Sequence, residues 1–187
     1  ANFVLLRKLV DSFGKAPVAK QRVALRELQF SGMSLLMQDM TLGPIEGKLE
    51  FAQAGPLERA WFAMNERKVT ALLLPLPEQH FSVKIQARTW IPPQSPQLLL
   101  DELQVEGVLS KQDFVAQKFA VALHGIRASG SGKVEFSEGW RVMAALAQVD
   151  APLERVMALL QKPVELTGAA SAKGELSSKA ATLGGLK

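Results

Sequence analysis

From Val23 onward apolar and polar side chains alternate with a period of two, the pattern of strands that bury one face. The cleanest run is residues 80–91. Phe81, Val83, Ile85, Ala87 and Ile91 share one face, and Ser82, Lys84, Gln86 and Arg88 take the other. Residues 28–32, 45–51, 103–109, 133–136 and 140–149 alternate likewise. Residues 57–64 are predicted to turn at Asn65-Glu66-Arg67-Lys68 into a strand over 69–76. Two runs are apolar on both sides. Residues 33–42 read as one strand covered on both faces. In 113–124, Val115, Gln117, Phe119, Val121 and Leu123 fall on one face, with Phe114, Ala116, Lys118, Ala120 and Ala122 on the other.

Period 3.6 appears twice. Leu5, Leu6, Leu9, Val10 and Phe13 predict an amphipathic helix over 2–13, stopped by Gly14. Asp150 as cap and Pro152 in the first turn predict a second helix over 151–161, with Leu153, Val156, Met157 and Leu160 as its buried stripe. Weak strands follow at 164–169 and 173–179. The fold class is therefore mainly β with two short helices: repeated antiparallel strands in an extended, curved, groove-like sheet. Pro92-Pro93-Gln94-Ser95-Pro96 is a stiff linker. It separates a first β unit with the N-terminal helix, 1–91, from a second with the helix 151–161, 97–187. The two are predicted to form one continuous repeat-built domain.

The totals narrow the function classes. In 187 residues, 48% are hydrophobic and 21% charged, which suits a folded chain. The net charge of +4 is spread along the sequence and makes no nucleic-acid footprint. There is no cysteine, hence no disulfide and no thiolate chemistry. The longest wholly apolar run, residues 71–76, is far below the roughly 20 residues of a spanning helix. The chain opens inside an apolar pattern and closes on Gly185-Leu186-Lys187. The expectation is a segment of a longer protein whose anchor lies outside it.

No motif assembles a catalytic, metal or cofactor site. Ala128-Ser129-Gly130-Ser131-Gly132-Lys133 resembles a phosphate loop only in composition. Arg127 stands where its first glycine belongs, Val134 replaces the Ser or Thr, and a strand follows in place of a helix. His80 and His124 lack a second ligand at helical spacing. Asp101 and Glu102, adjacent on a strand, point to opposite faces and cannot share a proton.

A repeat is visible. Leu28-Gln29-Phe30-Ser31-Gly32 matches Leu103-Gln104-Val105-Glu106-Gly107, and Gly47-Lys48-Leu49-Glu50-Phe51 matches Gly132-Lys133-Val134-Glu135-Phe136. Glu165-Leu166-Thr167-Gly168 followed by Gly174-Glu175-Leu176 reads as a third, decayed copy. The Leu103–Gly107 strand, the His124-Gly125 turn, the Gly132–Phe136 strand and the Val149-Asp150-Ala151-Pro152 helix start occur in that order. Together with Trp90-Ile91-Pro92-Pro93, they resemble the C-terminal module of the AsmA-like envelope proteins of Gram-negative bacteria. His124 stands where an aromatic usually precedes the turn, and Ile126 replaces a second glycine.

The resemblance implies a non-catalytic periplasmic segment of an inner-membrane-anchored parent. Its role would be phospholipid transport between membranes and outer-membrane assembly, through an apolar β groove. Lipid acyl chains and neighbouring modules of the parent chain or other envelope proteins are the implied partners. Phe81, Val83, Ile85, Val105, Phe119 and Val121 are the groove candidates, since they fall on apolar strand faces. The same alternation also suits a protein-binding adaptor domain of an envelope or secretion complex with an ordinary closed β core.

Overall fold

The computed structural model describes residues 25–37, 40–53, 55–92, 98–137, 139–159 and 167–180. The described residues are mainly β, with ten strands, one short α-helix and one 3-10 turn. The chain divides into two units at Pro75 and Leu76. The sequence placed the junction at 92–96, but the strand before that linker pairs with the strand after it.

The first unit is an antiparallel meander of β1 (Glu27–Met37), β2 (Met40–Phe51), β3 (Leu57–Met64) and β4 (Val69–Leu76). Register aligns Leu28, Leu49, Ala60 and Leu73 across the four strands, with Phe30, Gly47, Phe62 and Ala71 beside them. Leu49, Phe51 and Ala60 are buried, and Phe30, Leu57, Phe62 and Leu73 pack on them. The Phe30 ring lies over Gly47, where any Cβ would collide with it. It also stands 6.0 Å from Phe62, ring centre to ring centre. The other face is an ion-pair ladder in which Lys48 bridges Glu27 at 2.9 Å and Glu50 at 3.0 Å. Lys48 is the largest influence holding the Glu27 carboxyl below its ordinary value.

The run at 33–42 is not one doubly covered strand. β1 and β2 meet there as a hairpin, pairing Leu35 with Leu42 and Met37 with Met40. An apolar run carries no sign of a chain reversal when both arms are apolar, so periodicity alone misses it. Asn65-Glu66-Arg67-Lys68 does form the expected turn from β3 to β4, and its first three residues hold positive φ of 53°, 56° and 65°. That costly backbone sets Arg67 over Trp61, 5.7 Å from the ring centre, and against Glu46 at 2.6 Å.

The second unit is an antiparallel meander of β5 (His80–Trp90), β6 (Leu100–Leu109), β7 (Asp113–Leu123), β8 (Ile126–Glu135), β9 (Trp140–Pro152) and β10 (Ala169–Ala180). The 3-10 turn Pro77–Gln79 precedes it. The β7–β8 link is a two-residue turn at His124 and Gly125, with φ of 49° and 81°, the conformation that matches strand twist. No ladder joins β1 to β4 or β5 to β10, so neither unit closes into a barrel among the described residues.

The helix expected over 151–161 begins later, as α1 (Leu153–Leu159). Asp150 does not cap it. The ladder to β10 holds Asp150, Ala151 and Pro152 opposite Ser171, Ala170 and Ala169, which keeps all three extended. The Leu153 N–H instead donates to the Gly168 carbonyl at 3.0 Å. Leu153, Val156 and Met157 are half-buried, and Leu160 lies outside the described residues, as do the expected helix 2–13 and the start of the strand at 164. The strand expected over 173–179 extends as β10 from Ala169 to Ala180.

The two sequence repeats occupy unlike positions. In the first copy they lie on neighbouring strands, β1 and β2, whereas in the second they lie on β6 and β8 with β7 between. Gly32 holds a φ of 70°, while Gly107 sits where a Cβ would strike the backbone of Val115.

Candidate functional site

In an antiparallel sheet, directly paired residues share a face, so register gives the composition of each face of the second unit. Four rows cross β5 to β9 on one side. They are Phe81–Leu109–Phe114–Val134–Val142, Val83–Gly107–Ala116–Gly132–Ala144, Ile85–Val105–Phe119–Gly130–Leu146 and Ala87–Leu103–Val121–Ala128–Val149. No charged or hydrogen-bonding side chain interrupts them. β10 continues them with Ala172, Gly174 and Leu176 before Ser178.

All six candidate residues stand in these rows. Ile85, Val105 and Phe119 are consecutive in one row, with Val121 in the next. Val83 is buried, at 6% exposure. Phe81, Ile85, Val105, Phe119 and Val121 are half-buried. Neighbouring side chains within the sheet shield them sideways.

β7 departs from the sequence reading. Gln117 is an extra residue that breaks register with both β6 and β8. A bulge of this kind shifts the side-chain phase by one. Phe114 and Ala116 therefore join Phe119 and Val121, while Val115 goes to the other face at 38% exposure. Sequence alternation had split these residues between faces. The correction makes the apolar face more uniform. A matching bulge at Ala147 in β9 keeps Leu146 and Val149 on that side.

The opposite face carries the ion pairs, with apolar residues such as Val108, Val115 and Met143 among them. Lys84 pairs with Glu106 at 2.8 Å, and Lys133 bridges Asp113 and Glu135 at 3.0 Å each. Ser110 donates to Asp113, and that bond, followed by Lys133, holds the Asp113 carboxyl below its ordinary value. Lys84 does the same for Glu106. An open depression of about 650 Å³ lies over this face, lined among others by Gln104, Lys118, Ser129 and Ser131. It forms where the bulged strands β7 and β9 flank β8. Of the six candidates only Phe119 lines it.

Among the described residues no three His, Asp or Glu side chains come together as metal ligands, and no helix is long and apolar enough to cross a membrane. The second unit thus has four apolar rows on one side and the ion pairs of Lys84 and Lys133 on the other. Comparison with models of known protein families, with curated proteins and with solved structures finds no match.

Proposed function

We propose that the chain is a non-catalytic segment of an AsmA-like envelope protein, working in the periplasm, and that its second unit carries lipid acyl chains on the apolar face. The observation that supports this reading is the composition of that face: four rows across five strands hold no charged or hydrogen-bonding side chain, and the next row, Trp90–Leu100–Leu123–Ile126, adds only one indole N–H. Exposed apolar area costs about 25 cal/mol per Å² in water, and patches beyond a few hundred Å² mark interaction sites. A flexible hydrocarbon chain covers such a surface without needing complementary donors or acceptors. Phe81, Ile85, Val105, Phe119 and Val121, with Val83 beneath, form the contact area. The parent protein's role would be phospholipid movement between membranes and outer-membrane assembly, with its anchor to the inner membrane elsewhere in the parent.

The adaptor alternative, as framed from the sequence, requires a closed β core. The described strands of each unit form one layer, but the other mark of an adaptor, an apolar patch for a partner, is met by this same face. Lipid extraction of the purified chain followed by mass spectrometry tests the proposal. Co-purified phospholipid is expected. Its consistent absence, with no uptake of added phospholipid, favours a protein-binding adaptor.

A further inference from the structure

We infer that two copies of the chain pair through β10, antiparallel and edge to edge, about a two-fold axis at Gly174. β10 is the last strand of its sheet, and among the described residues no strand pairs with its outer edge. A free edge is a row of unmet N–H and C=O groups and a template for another strand. β10 offers twelve residues, with no proline to interrupt a ladder. The bulge opposite Lys173 lies in β9, so β10 itself keeps its phase. Ala172, Gly174 and Leu176 face the apolar side, and Ser171, Lys173, Glu175, Ser177 and Lys179 face the other.

The charges on β10 select a second copy as the occupant. Directly opposed residues of an antiparallel pair share a face. A two-fold pair that keeps like faces together is therefore centred on a residue, and every contact occurs twice. Centred on Gly174, it sets Lys173 of each copy opposite Glu175 of the other. Ala172 then meets Leu176, which is 61% exposed in the single chain, and Ser171 meets Ser177. Centred one residue to either side, the pair opposes two lysines or two glutamates at the axis. Centred on Leu176 it opposes Lys173 to Lys179, and centred on Ala172 it leaves Glu175 opposite Ala169. Lys173 and Glu175 are exposed, so their attraction adds little affinity. Backbone hydrogen bonds supply the affinity, and the charges fix the register. The pairing is independent of the acyl-binding reading.

The test is sedimentation equilibrium of the whole chain, without detergent, over a wide range of concentration. A monomer–dimer equilibrium is expected. Lys173→Glu turns both attractive pairs into repulsive ones, as does Glu175→Lys, so each should weaken dimerisation about tenfold. Mixed in equal amounts, the two variants bring opposite charges together again and should form mixed dimers at about wild-type strength. A wild-type chain that stays monomeric overturns the inference. So does a dimer insensitive to both reversals, which would place the contact on another surface, and so does a mixture that associates no better than its components.

Discussion

The two units make the same kind of sheet and use their apolar faces differently. In the first, aromatic and long aliphatic side chains reach one another: Phe30 covers Gly47 and meets Phe62, and Leu49, Phe51 and Ala60 are buried beneath. In the second, the central rows are rich in Gly and Ala, at Gly107, Ala116, Gly130, Gly132 and Ala144. Val83, Ala87 and Ala116 are buried there, and their larger neighbours are half-buried, as Phe30, Phe62 and Leu73 are in the first unit. One layer of strands is thus filled mainly by large side chains in the first unit and by a mixture of small and large ones in the second.

The largest expected effect follows from the buried residues of the first unit. Phe51→Ala should cost about 3–5 kcal/mol in urea unfolding of the first unit, as a core truncation. Val121→Ala in the second should cost no more than about 1.5 kcal/mol, since its methyls are already half-exposed. Equal losses would erase the distinction between the faces.

A middle-sized effect separates two glycines of the second unit. A Cβ at Gly130 would run into the carbonyl of Ala145, whereas one at Gly174 meets nothing within 4 Å. Gly130→Ala should destabilise by about 1–3 kcal/mol through forced backbone movement. Gly174→Ala should stay within about 0.5 kcal/mol. Thermal melts of the two variants decide it.

The smallest effect is electrostatic. Asp113 has its pKa lowered on folding, so its contribution is present above the unfolded value of about 3.9 and is lost as pH falls through the folded value. Asp113→Asn should reduce stability at neutral pH and match the wild type once the medium is acidic enough to protonate Asp113 in the folded chain. A difference that persists unchanged at low pH would assign the loss to geometry.

Much of this was legible in the residues. Strict alternation found β5 to within a residue, and the His124-Gly125 turn is where a glycine of positive φ is needed. Alternation also gathered the six candidates, because each lies in a stretch where the phase holds. What escaped was anything that changes phase without changing composition. Gln117 in β7 is an ordinary polar residue, and only its missing partner on both flanking strands identifies the bulge. The false helix start at Ala151 has the opposite cause. Asp150 and Pro152 make a sound local cap signal, but pairing with a strand some twenty residues further on overrides it. The repeated strings pointed to the recurring antiparallel strands that the sheet shows, but a short motif says nothing of how many strands intervene.

The most direct test of the central claim is Val121→Asp, followed by both circular dichroism and uptake of a labelled fatty acid. Val121 lies mid-sheet on the half-buried apolar face. The account predicts a strand spectrum and cooperative melt close to wild type, with acyl uptake lost. An unfolded variant would contradict it, since only a closed core makes a carboxylate there intolerable. A folded variant that still takes up the probe would contradict it equally, by placing the binding surface elsewhere.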